Sequence, residues 1–141
     1  MKGLATLIKL HKRMVDDLRR KMGLLESQKS QLQQASAKLQ EELQREIALA
    51  AKQPEMAGFF GGFAKRIQNR QKDIAGEIKK LDADMAKLQV EITEAFGELK
   101  KYEIARDNAK AREKEEENRK ETIALDDIAG TQHRRKEKET Q

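Results

Sequence analysis

Residues 60–102 read FGGFAKRIQNRQKDIAGEIKKLDADMAKLQVEITEAFGELKKY, and the spacing of their apolar side chains decides the fold. Phe60, Ala64, Ile67, Gln71, Ile74, Ile78, Leu81, Met85, Leu88, Ile92, Ala95, Leu99 and Tyr102 follow one another at alternating intervals of four and three. Twelve of these thirteen are apolar. Such intervals place every one of them on a single narrow stripe of a helix. The residues between are mostly charged or amide-bearing, so the helix has one sticky seam and is otherwise solvated. A strict seven-residue period predicts a left-handed supercoil with a partner helix. No alternation of period two competes with it, which argues against strands.

The same count works toward the N-terminus. Leu4, His11, Leu18, Leu25, Leu32, Leu39 and Glu46 recur every seven residues, with Ile8, Val15, Met22, Lys29, Ser36, Leu43 and Ala50 four residues after each. Ten of the fourteen are apolar. The two series break at Lys52-Gln53-Pro54. Proline has no amide hydrogen and clashes with the preceding turn, so a helix ends before it. Gly58, Gly61 and Gly62 follow. Two seams of similar length joined by a short breaker predict an antiparallel hairpin. Its paired residues should have numbers summing to about 114, which sets residue 4 opposite residue 110.

Beyond that point the seam runs out. Arg106, Ala109, Glu113, Glu116, Lys120, Ile123 and Asp127 continue the count, but only two of them are apolar. Ala111–Glu121 is dense in mixed charge and can stay helical through pairs one turn apart, worth ~0.2–0.5 kcal/mol each. The fold expected is all-α: one long antiparallel two-helix coiled-coil hairpin over 1–141, with an overhanging C-terminal helix and a short disordered tail. Its parts are a first helix over about 3–51, a turn over 52–62, a second helix over about 63–129, ended by Gly130, and a tail over 130–141.

Composition agrees and narrows the function. Charged residues make up 39% of the 141 and aromatics 4%, with one proline and no tryptophan, too few large apolar side chains for an ordinary compact core. The net charge is +5, and residues 1–21 hold seven Lys or Arg against Asp16 and Asp17, an excess that steers toward an acidic partner or an anionic surface. Cysteine is absent, which removes disulfides and thiolate metal sites and fits a reducing cytoplasm. Leu4–Ile8 is too short for the apolar core of a signal peptide, and no stretch approaches the ~20 apolar residues of a membrane span. The expectation is a soluble protein, peripheral to a membrane at most.

Little in the chain points to catalysis. His11 and His133 lie far apart, so no metal and no cofactor is expected. There is no GxxxxGK[ST] loop and no GxGxxG fingerprint. A two-helix seam offers no sheltered pocket, so the chain is not expected to be an enzyme. His11, Lys29, Ser36, Glu46 and Gln71 read as polar interruptions that fix the register of the seam. Basic groups at Lys12-Arg13, Arg19-Arg20-Lys21 and Arg134-Arg135-Lys136 raise nucleic-acid binding, but acidic residues are interspersed and no aromatic platform for bases is present, so no nucleic acid is expected. Phe59-Phe60-Gly61-Gly62-Phe63 carries three of the four phenylalanines at the turn. It reads either as a plug over the hairpin end or as an exposed anchor for a partner.

Two segments resemble a known family. Lys100-Lys101-Tyr102-Glu103-Ile104-Ala105-Arg106-Asp107, then Arg119-Lys120-Glu121, Leu125-Asp126-Asp127-Ile128-Ala129 and the basic tail from Arg134, look like the C-terminal half of the FliJ family. Leu4-x-x-Leu7-Ile8-x-Leu10 followed by Val15-Asp16 is similar to that family's opening. The resemblance implies a non-catalytic component of the flagellar type III export apparatus whose hairpin is similar to the central stalk of rotary ATPases. Its partners would be the hexameric export ATPase, at the terminal end, and the cytoplasmic domain of the membrane export gate, with escorted export chaperones as a further class. Its place would be the cytoplasm, peripheral to the inner face of the bacterial cell membrane. An injectisome counterpart, a prefoldin-like subunit and a structural coiled coil are the other readings; the prefoldin-like one needs a β-hairpin that the sequence lacks. Candidate ATPase contacts are Tyr102, Arg106, Arg112, Ile123, Leu125, Ile128, Arg134 and Arg135. Candidates for the second partner are Ile47, Phe59, Phe60, Phe63 and Ile67; no motif of the family covers these, and they rest on their own chemistry.

Overall fold

The computed structural model of the chain describes residues 2–140 and, at Met56, the backbone only. Among the described residues there are two α-helices and no strand. Helix α1 spans Lys2–Lys52 and helix α2 spans Ala57–Glu139, joined through Gln53 and one 3-10 turn, Pro54–Met56. The chain is all-helical, in the element order a helical hairpin requires.

The break between the helices is local and chemical. Gln53 is the last residue to donate back into α1, its amide reaching the Leu49 carbonyl at 3.0 Å. Its own backbone, at φ −129° and ψ 83°, is extended, as the residue before a proline must be. Pro54 then opens the 3-10 turn, where its fixed φ suits a first helical position and its missing amide costs nothing. Ala57, at φ −59° and ψ −32°, sends its amide to the Pro54 carbonyl and begins α2.

Two boundaries therefore differ from the sequence reading. The break occupies 53–56 rather than 52–62, and α2 runs through Gly130 to Glu139 rather than ending at Gly130 in a disordered tail. Both errors come from treating glycine as a terminator. No glycine here has a positive φ, so Gly58, Gly61, Gly62 and Gly130 hold ordinary helical backbone. A helical glycine costs about 1 kcal/mol relative to alanine, which neighbouring interactions can outweigh. Near the turn those neighbours are Phe60, Phe63, Ala64 and Ile67, all buried or half-buried. Past Gly130 they are local: Arg134 Nε donates to the Gly130 carbonyl at 3.4 Å, and His133 Nε2 lies 3.1 Å from Glu137 Oε1, one turn on.

Burial follows the four-three count. In α1 all fourteen seam positions are buried or half-buried, and outside them only Ala35 is. In α2 all thirteen are, joined by Phe63 and Glu103 and then by Arg106 and Ala109 where the count continues. Residues 111–129 are exposed throughout. Packing divides the chain into two compact units: Lys12–Phe96, and the described residues of Met1–His11 with Gly97–Gln141. In Lys12–Phe96 the buried side chains are Val15, Leu43, Ile67, Ile74, Leu88 and Ile92, with Ile74 only 1% exposed. Burying each such side chain contributes about 1.5–3 kcal/mol. Contacts between the helices join Lys29 to Asp82 and Gln71 to Ser36 and Gln40. In the other unit Ile8 and Leu99 are buried, and His11 meets Tyr102.

The glycine assignment is directly testable. A Cβ added at Gly61 or Gly62 meets nothing within 4 Å. Gly61→Ala and Gly62→Ala should each raise unfolding free energy by about 0.5–1 kcal/mol, measured by urea denaturation followed by circular dichroism. Destabilisation by both would mean that these residues form a loop and that α2 starts later.

Candidate functional site

Candidate contacts for partners fall in both compact units. In the unit built from the termini, Tyr102 is half-buried and its ring lies against His11, with centroids 4.8 Å apart and planes tilted by 32°. The stack accounts for a histidine on a mostly apolar stripe: a flat polar ring meets a flat amphipathic one. Arg106, one seam step further, is half-buried and its Nε donates to Asp107 Oδ1 at 3.3 Å. Arg112 is exposed and lines a shallow surface with Glu115, Glu116 and Arg119.

From residue 111 to 129 α2 has no side chain in shelter. Ile123, Leu125 and Ile128 are 51%, 66% and 56% exposed on this stretch. Helical structure here rests on local terms. The spacings Arg112–Glu116, Glu115–Arg119 and Glu116–Lys120 set opposite charges one turn apart, an arrangement that favours the helix. Further along, Arg134 and Arg135 are exposed beside Thr131, Glu137 and Lys138. The arrangement is a lone helix with mixed charge and spaced aliphatic side chains, an available surface with no built cavity.

In Lys12–Phe96 the turn end carries the phenylalanines. Phe59 is 77% exposed, Phe60 and Phe63 are half-buried, and Ile67 belongs to the buried seam. Ile47 is exposed on α1. Leu49, Ala50, Phe59, Phe60 and Phe63, with polar neighbours, line a groove of about 240 Å³. The two readings of this cluster thus divide by residue: Phe60 and Phe63 lean into the helix contact, while Phe59 stands in solvent. The sequence reading did not reach the side of this unit that carries Leu24, which is exposed beside the seam. Its neighbours at three and four residues, Lys21 and Gln28, are polar, so no apolar period marks it in the sequence.

Among the described residues no helix is long and apolar enough to cross a membrane. A protein-family model described as Flagellar FliJ protein matches residues 1–138. The chain belongs to the FliJ family. Membership makes it a flagellar, export-related protein. No curated protein sequence and no solved structure matches it.

Within this FliJ-family chain the exposures separate anchor from seam. Phe59→Ser should change unfolding free energy by no more than about 0.5 kcal/mol, as for other exposed positions. Ile67→Ala should cost about 2–5 kcal/mol. Thermal denaturation of the two variants against the parent checks both, and a large loss for Phe59→Ser would make that ring part of the core.

Proposed function

We propose that this FliJ-family chain is a non-catalytic connector of the flagellar export apparatus, an antiparallel coiled-coil hairpin that binds the export ATPase ring through its terminal segments. The observation that carries the reading is the exposed stretch of α2 over residues 111–129. A helix without a seam partner is narrow enough to enter a ring. Arg112 on this stretch, with Arg106 before it and Arg134 and Arg135 after it, suits acidic groups lining one, and Ile123, Leu125 and Ile128 supply apolar contact along it. Numbers of residues in contact between the helices sum to 107–113, which supports the antiparallel pairing.

The second partner in this reading is the cytoplasmic domain of the export gate, reached through the turn end. Phe59 is the anchor: a large exposed aromatic has a solubility cost and marks contact surfaces. Export chaperones are a further class of partner. The chain works in the cytoplasm, peripheral to the inner face of the cell membrane, and needs no cofactor. Family membership together with the absence of a spanning helix among the described residues supports that placement.

The two contacts are separable by mutation. Deleting residues 123–141 should leave thermal unfolding of the remainder nearly unchanged, because residues 123–129 bury nothing. It should reduce both binding to the export ATPase and stimulation of its turnover. Phe59→Ser with Phe60→Ser should weaken gate binding and motility while ATPase stimulation persists. Full stimulation by the truncated chain would sink the ATPase assignment.

A further inference from the structure

We propose that a second copy of this chain docks along one side of Lys12–Phe96, in a groove beside the seam. Two surface grooves of about 430 Å³ each lie on this side and adjoin through Gln28 and Asp84, which line both. Their floor is Leu24, Leu25, Leu32, Leu81 and Leu88. Of these, Leu24 is 65% exposed, too much for a leucine that serves the intrachain seam alone. Apolar floor along a helix pair is where another helix packs.

The rim identifies the occupant. Along α2 it carries Glu77, Lys80, Asp84, Lys87 and Glu91, at intervals of three, four, three and four. That spacing makes a stripe parallel to the seam, and its charge alternates at every step. A stripe of this kind attracts neither an acidic nor a basic surface strongly, since its positive and negative groups nearly cancel. It does complement itself. Turned antiparallel, a copy with the same stripe sets Lys80 against Asp84 of the other chain and Lys87 against its Glu77. Two-fold symmetry repeats both pairs. The same register brings Arg70 to the copy's Glu94. It leaves one like-charged meeting, Glu91 with Asp73. Among the described residues Glu77 forms a long ion pair with Arg70, at 3.8 Å, and is half exposed, so it is open to exchange. Four helices around a shared apolar floor would then shelter what two leave open.

The ATPase-contact candidates lie in the other compact unit, so self-docking and ring binding can fail independently. The test is sedimentation of the full chain across a concentration series, at low and high salt. The parent should shift from monomer to dimer as concentration rises. Lys80→Glu with Lys87→Glu gives an all-acidic stripe on α2, and Glu77→Lys with Asp84→Lys a predominantly basic one. Each should weaken self-association by at least about tenfold, because like charges then face one another. Helicity should be unchanged, since all four positions are exposed. Mixed in equal amounts, the two variants should form a mixed dimer. A parent that stays monomeric at every concentration overturns the proposal and leaves the groove to a different protein. So do charge variants that dimerise as well as the parent.

Discussion

A contact between two helices shelters only the side chains that face it, and everything else in this molecule is arranged around that restriction. One stripe per helix is available, at intervals of four and three. The eight side chains buried among the described residues all sit on it: Ile8, Val15, Leu43, Ile67, Ile74, Leu88, Ile92 and Leu99. Where the stripe loses its apolar residues, after Ala109, shelter ends over residues 111–129, and α2 continues as a solvated helix with opposite charges spaced one turn apart. Stability and availability are thus divided along one sequence. The seam-rich stretch supplies the fold, and the seam-poor stretch offers surface to a partner.

The polar residues on the stripe show how such a seam tolerates interruption. Gln71 sends its side-chain amide to the Ser36 carbonyl at 3.4 Å and to Gln40 Oε1 at 3.1 Å, so two helices are joined at one height. Lys29 reaches Asp82 with Nζ at 2.7 Å from Oδ1. Both partners of that pair are a third or more exposed, or close to it, and such a bridge contributes at most about 1 kcal/mol. Its worth is geometric: with Gln71 and the His11–Tyr102 stack, it penalises any sliding of one helix by a turn. Among the described residues no buried side-chain nitrogen or oxygen lacks a partner, so these interruptions leave no unsatisfied group.

The seam was legible in the sequence because period is a collective signal. Many residues vote on it, and a few polar members such as Lys29 and Glu46 cannot change the result. The end of the seam was legible for the same reason. Boundaries were not, because each depends on one or two residues. Gly61 and Gly62 were read as breakers, yet the buried neighbours Ile67 and half-buried Phe63 draw them into α2. Gly130 was read as a stop, yet Arg134 donates to its carbonyl and α2 runs on to Glu139. The candidate contacts divide similarly. That Ile123, Leu125 and Ile128 are exposed follows from the lost period, whereas the exposure of Phe59 against the seam position of Ile67 needed the actual burial of each. Tyr102 was named for a partner, and its pairing with His11 is a tertiary contact that no local pattern reveals.

The account stands on the two stripes meeting within one chain, in opposite directions. The sequence has no cysteine, so a pair introduced at Leu25 and Leu88 is free of competition. Both residues line the same groove, and their numbers sum to 113, as His11 and Tyr102 do. Under mild oxidation a cross-link within a single chain is the predicted product, seen as monomer of increased mobility on a non-reducing gel. Cross-linking found only between chains would contradict the hairpin and replace it with helices paired across two molecules.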